Sequence, residues 1–229
     1  MQKTRTALIA GASGLVGGHC LQLLLHSDRY DQVISIGRRD VPIIHPKLDQ
    51  KVIDFDQLQK YKTDLAADDV YCCLGTTIKQ AGSKEAFQKV DQHYVVQLAE
   101  LAFAKGASQF LVVSAMGADA KSMFFYNRVK GNMEQAVTNI GYESVHIFRP
   151  SLLLGDREVQ RTGEEIASKV MRPLSSLLIG PLEKYKPIQG ETVAKAMLHV
   201  AAFDKKGTHI YPSDDIEDLG NTTSKAPAP

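Results

Sequence analysis

The sequence lacks an excess of charge of either sign. It has 27 Lys and Arg residues against 26 Asp and Glu residues, which gives a formal net charge of +1. A chain without a broad basic excess has no long-range field that would attract nucleic acid or an anionic lipid surface. We therefore expect no nucleic acid partner, and an anionic ligand must be held by a local site.

Long hydrophobic runs are also missing. The apolar stretch near the N-terminus, "TALIAG", is too short to span a bilayer and passes at once into a glycine-rich segment. Hydrophobic residues make up 44% of the chain and charged residues 23%, which is ordinary for a soluble globular protein. We expect no membrane association and a cytoplasmic location.

Cysteines are few, and their positions do not indicate disulfide bonds. Two of the three, Cys72 and Cys73, are adjacent in an apolar run. Neighbouring residues on a strand face opposite sides, so a bridge between them is unfavourable, and we predict reduced thiols there and at Cys20. The seven histidines show no recognisable metal-binding spacing with Cys or carboxylates, so we expect no metal site.

Apolar, β-branched segments alternate with amphipathic ones along the first 150 residues. The predicted strands are "TALIAG", "VISIG", "KVIDF", "VYCCLG", "FLVVSA" and "SVHIFRP". Most are continuously apolar, which is typical of strands that are buried on both faces of a parallel sheet. Helices are predicted over residues 14–26, 83–105 and 123–140. The repeat predicts an α/β fold with a doubly wound parallel sheet, a Rossmann fold, whose ligand binds at the carboxyl ends of the strands.

We predict a single domain over residues 1–220. After Pro150 the alternation loosens, and residues from about 150 to 220 are expected to form a small lid on the substrate side, with helices near 164–177 and 192–203 and a short strand "HIY". The final residues, 221–229, are polar and rich in proline, so we expect a disordered tail.

A glycine-rich loop, "GASGLVGG", joins the first predicted strand to the first helix. Glycine permits a tight turn and lets the backbone approach a pyrophosphate, and the helix N-terminus offers free N–H groups. A purely structural turn would also use glycine, but the position between strand and helix favours a dinucleotide site. The predicted contacts are Gly11, Ser13, Gly14, Leu15, Val16 and Gly17.

Two arginines, Arg38 and Arg39, follow the second predicted strand, where NAD-binding proteins usually present a carboxylate to the ribose. Guanidinium groups match a 2′-phosphate, which a carboxylate would repel. We therefore predict NADP(H) as the cofactor. The alternative is that both arginines are ordinary surface residues and that Asp40 neutralises one of them.

The remaining cofactor contacts are predicted at other strand ends. Asp54 is a candidate for an adenine contact, although a carboxylate that caps the following turn is equally consistent with the sequence. Gly75 lies where the backbone of the fourth strand would pass close to the cofactor, or where the strand simply turns. The predicted set is Asp54, Phe55, Leu74, Gly75, Thr76 and Arg149.

Tyr126 and Lys130 lie four positions apart in "FFYNRVKGN", so a helix places them on the same face. Both residue types are common on helix surfaces, and the alternative for Lys130 is a solvated pair with Glu134. Together with the upstream glycine loop and with Ser114 at the preceding strand end, however, the pair indicates a catalytic site.

These motifs resemble the short-chain dehydrogenase/reductase superfamily, and within it the atypical branch that includes the Tat-interacting-protein oxidoreductases. Further similar stretches are "GRR", "VIDFDQL", "VYCCLGTT", "QLAELA", "SAMGAD", "FFYNRVKG" and "FRPSLLLGDRE". The resemblance implies that Tyr126 protonates a carbonyl oxygen during hydride transfer from NADPH. It also implies that Lys130 lowers the pKa of Tyr126 and contacts the nicotinamide ribose.

Two positions depart from that pattern. Ser114 is followed by Ala115 where relatives show paired serines, so a catalytic Ser114 is one of two alternatives. Asp91 falls near a position where many superfamily members have asparagine, and we expect it to serve helix polarity rather than the site. Asp156, Arg157 and Glu165 are either substrate contacts or solvated loop charges.

Two functions agree with these observations. The first is an NADPH-dependent reductase of a small carbonyl compound, and the second is an NADPH-binding redox sensor that acts through a protein partner without turnover. The intact Tyr126 and Lys130 favour the enzyme, whereas Ala115 and the short substrate region favour the sensor. The resemblance also makes a homodimer an expected assembly.

Overall fold

The strands of the computed structural model form a parallel sheet, and the structure describes residues 5–155 and 186–222. Within these residues the sheet has seven strands in the order β3-β2-β1-β4-β5-β6-β9, and a separate pair joins β7 and β8. The strands are β1 (Thr6–Ala10), β2 (Gln32–Gly37), β3 (Leu48–Val52), β4 (Asp69–Cys72), β5 (Gln109–Val113), β6 (Ser144–Arg149), β7 (Leu153–Leu154), β8 (Ile188–Gln189) and β9 (Gly207–Pro212). The predicted doubly wound α/β fold is confirmed.

Helices cover both faces of this sheet. They are α1 (Leu15–His26), α2 (Ile78–Ala81), α3 (Lys84–Gln88), α4 (Tyr94–Ala104), α5 (Phe125–Thr138), α6 (Gly190–Ala201) and α7 (Ser213–Asn221), with a 3₁₀ segment (Phe55–Leu65) and a π turn (Lys89–His93). The 3₁₀ segment, α4 and α5 share one hydrophobic core with the sheet, while α1, α6 and α7 share the other.

The central strands are apolar throughout because both of their faces are covered. Leu8 and Ala10 of β1 belong to the core beneath α4 and α5, whereas Ala7 and Ile9 belong to the core beneath α1 and α6. A side chain on a strand alternates between faces, so a strand between two helical layers needs apolar residues at every position.

The order of the strands places a crevice at the centre of the sheet. The chain runs outward from β1 to β2 and β3, then crosses back to β4 on the other side of β1. At this reversal the connections after β1 and β4 leave in opposite directions, which is where open α/β sheets bind their ligands.

Several elements differ from the sequence prediction. The helix expected over residues 83–105 is divided by the π turn into α3 and α4, and the third strand ends at Val52 instead of Phe55. Residues 186–222, expected on the substrate side, also supply β9, α6 and α7, which complete the sheet and a helical layer.

Other sequence predictions fall at the edges of the described ranges. Asn221, assigned to the disordered tail, ends α7, and residues 223–229 lie outside the described residues, as does the helix expected near 164–177. None of the helices in the described ranges has the length and apolar character needed to cross a bilayer.

Candidate active site

The glycine loop after β1 has a backbone that only glycine accommodates at two points. Gly11 has a φ of 90°, and a Cβ atom there would lie 2.6 Å from the carbonyl oxygen of Cys73. A Cβ at Gly17 would lie 2.1 Å from the carbonyl oxygen of Gly11. These contacts press the loop against β4 and against the first turn of α1.

The N-terminus of α1 is suited to an anion. Gly14 is its N-cap, no side chain caps the first turn, and no acidic residue lies in that turn. The first N–H groups of a helix need acceptors, and the helix dipole favours negative charge there. The backbone at Leu15 and Val16 therefore presents donors next to the exposed Ser13 and Gly14.

Leu15 also joins this loop to a later part of the chain. A Cβ at Gly155 would lie 2.5 Å from Cδ1 of Leu15, and one at Gly190 would lie 2.7 Å from its Cγ. Both glycines thus permit close packing on Leu15, and they place Gly155 and the start of α6 beside the predicted phosphate site.

Arg38 and Arg39 lie at the carboxyl end of β2 and are exposed. Within the described residues neither guanidinium forms a hydrogen bond or ion pair, and Asp40 does not neutralise either of them. Both arginines are therefore available to bind an anion at the carboxyl end of β2, next to β1.

Asp54 is the N-cap of the 3₁₀ segment. Its Oδ1 accepts a hydrogen bond from the backbone N–H of Asp56 at 2.9 Å, and its Oδ2 accepts one from Gln57 at 2.8 Å. The capping alternative thus describes its contacts, and an adenine contact stays a prediction. Phe55 is buried and its ring lies 5.4 Å from that of Tyr94, so it contributes to the core.

The end of β4 meets a buried ion pair. Lys130 Nζ lies 2.7 Å from Oδ1 of Asp91, and the two residues are 3% and 1% exposed. The backbone N–H of Thr76 donates to Oδ2 of Asp91 at 2.8 Å, and a Cβ at Gly75 would lie 3.4 Å from Oδ1. The structure therefore brings the predicted residues Gly75 and Thr76 together with Lys130, through Asp91. Leu74 packs against the hydrophobic core, and its cofactor contact stays a prediction.

This geometry corrects two expectations. Lys130 does not form a solvated pair with Glu134, because its ammonium is buried against Asp91. Asp91 does not merely serve helix polarity, because its carboxylate is in the core of the site. Sequence periodicity gave no sign of this; the one available signal was its alignment with the superfamily's asparagine.

Lys130 keeps its charge despite burial. Desolvation would lower the pKa of Lys130, but the carboxylate of Asp91, together with Tyr126 and Cys72, raises its pKa above the ordinary value. The site therefore contains a buried ammonium whose charge is balanced by one carboxylate.

Tyr126 lies one helical turn before Lys130 on α5. It is 37% exposed, and its ring packs 5.3 Å from that of the buried Phe87. Met123 and Phe124, just before α5, are among the most exposed apolar side chains of the described residues. A phenol that is held by an aromatic neighbour, is reachable from solvent and lies close to an ammonium can exchange a proton with a bound molecule.

Ser114 and Arg149 belong to a neighbouring cluster around Glu134, two turns beyond Tyr126. The Ser114 hydroxyl donates to Glu134 Oε1 at 2.5 Å, and Arg149 donates to both Glu134 oxygens at 3.0 and 2.5 Å. Both side chains are thus engaged within the protein. The catalytic role expected of Ser114 and the cofactor contact expected of Arg149 stay predictions.

Comparison with models of known families shows which family the chain belongs to. A family model described as the NAD dependent epimerase/dehydratase family matches residues 7–210. The chain belongs to this family. Its members are NAD(P)-dependent oxidoreductase-type proteins, and the similarity covers every predicted site residue of the described chain.

Two relatives sharpen this assignment. The chain is 38% identical to Protein HTATIP2 of Rattus norvegicus over 171 residues, 73% of this chain and 70% of that protein. It is 30% identical over 203 residues to Protein FMP52, mitochondrial, of Debaryomyces hansenii, covering 86% of this chain and 88% of that protein. The first match confirms the resemblance to the Tat-interacting-protein branch.

Solved structures show the same fold at low identity. MoeE5 in complex with UDP-glucose and NAD superimposes with a TM-score of 0.68 at 16% identity, over 94% of this chain and 80% of that one. UDP-glucuronic acid 4-epimerase from Bacillus cereus, in complex with UDP-glucuronic acid and NAD, gives 0.66 at 16% identity over 90% and 76%. This family member therefore has the Rossmann-like architecture of those enzymes.

Proposed function

We propose that this protein is an NADPH-dependent oxidoreductase that reduces a small carbonyl compound. The observation that carries the proposal is the buried Lys130 ammonium, which is fixed at the end of β4 and lies one helical turn from the accessible Tyr126. Burying a charge costs free energy, so a lysine on a helix with only a structural role is expected to stay in solvent.

The residues around the crevice fit a dinucleotide. The first-turn amides of α1 have no side-chain cap and can donate hydrogen bonds to the pyrophosphate, while Gly11 and Gly17 hold the loop close to β4. Arg38 and Arg39 favour NADP(H) over NAD(H), since they are exposed and have no ion-pair partner within the described residues. When bound, the cofactor supplies the hydride for the carbonyl carbon.

Two side chains of α5 then carry out the proton transfer. Tyr126 donates its phenolic proton to the carbonyl oxygen as the carbon accepts the hydride, so the carbonyl becomes an alcohol. Lys130 holds a positive charge beside the phenol and offers N–H donors towards the cofactor. Solvent restores the proton to Tyr126, which is partly exposed.

A second function, an NADPH-binding redox sensor, is favoured by one observation. The Ser114 hydroxyl, which the reductase mechanism would direct to the substrate carbonyl, is bound to Glu134. A sensor needs the cofactor site but no such hydroxyl, and it would act through a protein partner.

One experiment separates the two functions. Binding of NADPH and NADH is first measured by fluorescence titration, and NADPH oxidation is then followed against panels of aldehydes, ketones and quinones. Turnover that Tyr126→Phe abolishes supports the reductase. Tight NADPH binding with no turnover across the panels supports the sensor, and failure to bind either nucleotide would contradict both.

We also propose a cytoplasmic location. The relatives named FMP52 are described as mitochondrial. Fractionation of cells that express the tagged full-length chain tests the proposal, which recovery in the mitochondrial fraction would overturn.

A further inference from the structure

The π turn between α3 and α4 keeps an acidic residue in the core. Phe87, Asp91 and Val95 are all buried, at steps of four residues. Because an α-helix has 3.6 residues per turn, one step of four keeps a side chain on nearly the same face, but two successive steps rotate it by about 80°. A π turn takes more residues per turn, since its hydrogen bonds run from residue i to i+5, and it therefore holds Asp91 in line with its neighbours.

Both oxygens of the Asp91 carboxylate are used, and they join separate elements. Oδ1 pairs with Lys130 on α5, and Oδ2 accepts the N–H of Thr76 after β4. Asp91 thus fixes the distance between the ammonium and the strand end. π turns inside helices frequently occur at functional sites.

Among the groups that face Lys130, Asp91 is the one that balances the charge of the ammonium. Cys72 of β4 approaches from the sheet, and burial raises the pKa of its thiol to about 12, so it is neutral. Tyr126 faces Lys130 from its own helix. Glu134, one turn further along, is bound by Ser114 and Arg149. Among these groups of the described chain, Asp91 is the carboxylate in contact with the ammonium.

We infer that Asp91 is a positioning residue that holds the buried Lys130 ammonium in its charged form and fixes it against the strand end at Gly75 and Thr76. The inference rests on the proposed function only for what the ammonium then does, which is to contact the bound cofactor. A neutral asparagine at position 91 would keep one acceptor oxygen, would present an NH2 donor in place of the other, and would leave the buried charge unbalanced.

The first test observes Lys130 directly in the chain without nucleotide. Lysine side chains are labelled with ¹³C and ¹⁵N, and the Lys130 signal is assigned by its loss in Lys130→Met. In the native chain this signal should titrate above the ordinary lysine pKa of about 10.4, because the paired carboxylate raises the pKa of Lys130. In Asp91→Asn it should titrate at lower pH, since burial then acts alone. Identical titration in both proteins would overturn the inference.

A control separates this effect from general disturbance of the π turn. Asp56→Asn removes an exposed carboxylate that pairs with Lys89 of the same turn at 2.6 Å. This variant should leave the Lys130 titration unchanged. A shift as large as that of Asp91→Asn would contradict a specific role for Asp91.

Stability provides a measurement if Asp91→Asn folds poorly. The double variant Asp91→Asn/Lys130→Met removes both charges, so it should unfold at a higher urea concentration than Asp91→Asn alone. Additive losses would show that Asp91 does not act through Lys130. Neither test needs coenzyme or substrate, so they decide the role of Asp91 even if the protein has no turnover.

Coenzyme affinity gives the functional readout. NADPH should bind Asp91→Asn about tenfold or more weakly at pH 9 than at pH 6, because the Lys130 proton is lost over that range. Affinity of the double variant should not show this additional dependence on pH. A loss in Asp91→Asn that is equal at both pH values would indicate a merely structural effect and overturn the inference.

Discussion

A carboxylate is buried at each end of the sheet, but the two carboxylates differ in their hydrogen-bonding partners. At the amino end of β4, Asp69 is fully buried and accepts hydrogen bonds from Arg5, Arg29, Tyr30 and Gln109. At the carboxyl end, Asp91 has one cation and one backbone amide. Four side chains of the protein donate to the first carboxylate. The second pairs with a lysine whose ammonium has three N–H groups, so this lysine can donate to a further partner.

This difference separates a structural cluster from a site. Arg5, Arg29 and Asp204 extend the Asp69 cluster across the amino ends of β1, β2 and β9. The phenols of this cluster, Tyr30 and Tyr71, are fully buried and bonded to each other. Lys130 instead adjoins the exposed Gly75 and lies a turn from Tyr126. Changes at the amino end should therefore alter stability, and changes at the carboxyl end should alter binding and turnover.

The largest expected effect is that of Tyr126→Phe. Loss of the phenolic proton should lower kcat by about 10² to 10⁴, while NADPH affinity and the urea midpoint stay close to those of the native protein. The matched control is Tyr30→Phe, which removes a hydroxyl from the Asp69 cluster and should lower stability without changing kcat. Full activity of Tyr126→Phe would refute its role as proton donor.

Asp69→Asn should give the opposite result. It removes the charge that Arg5 and Arg29 share, and the free energy of unfolding should fall by about 3 kcal/mol, as measured by urea denaturation. The surviving folded protein should bind NADPH normally. If nucleotide affinity fell as much as stability, the two ends of the sheet would not be independent.

Arg38→Ala sharpens the comparison at the carboxyl end of β2. Removal of a charge-assisted contact to the 2′-phosphate should weaken NADPH binding at least about tenfold, with little change for NADH. Both affinities can be measured by fluorescence titration. Equal losses for the two nucleotides would mean that Arg38 does not recognise the phosphate.

The smallest effect concerns His146, which lies in β6 between the two ends. Burial, together with the nearby charges of His209 and Lys205, lowers the pKa of His146 to about 4. The unfolded chain therefore binds this proton more readily than the folded chain does. His146 should leave stability unaffected above about pH 6.5 and reduce it as pH falls towards 4.

The comparison protein for this measurement is His146→Phe. Its urea midpoint should depend less on pH between about 6.5 and 4 than that of the native chain. Because slopes rather than absolute stabilities are compared, the lost contact between His146 and Tyr211 does not affect the conclusion. Equal slopes would show that His146 does not titrate in this range.

The fold was predictable because its signals are local. Apolar runs such as "FLVVSA" need two covered faces, and the glycine loop needs a turn between strand and helix, so both can be read from neighbouring residues. Tyr126 and Lys130 were predictable for the same reason, since they share one helix face.

The contacts of these residues were not predictable from local patterns. Asp91 and Lys130 are far apart in sequence, and the π turn that buries Asp91 depends on how α3 and α4 pack against α5. A charged residue is also expected at the surface, because burial is unfavourable without a partner that only the tertiary structure supplies. The pairing of Ser114 and Arg149 with Glu134 was missed for the same reason.

The glycine loop also shows how a variant with impaired nucleotide binding should be designed. Alanine at Gly11 or Gly17 would collide with backbone atoms and disturb the fold itself. Gly14 has a φ of −90°, which any residue adopts, and an added methyl group would meet only the carbonyl oxygen of Gly11, at 3.2 Å. Gly14→Ala is therefore the substitution that adds a methyl group at the exposed N-cap of α1 with the smallest shift of the loop, and it offers cell biologists a reagent for asking what the protein does with a weakened coenzyme site.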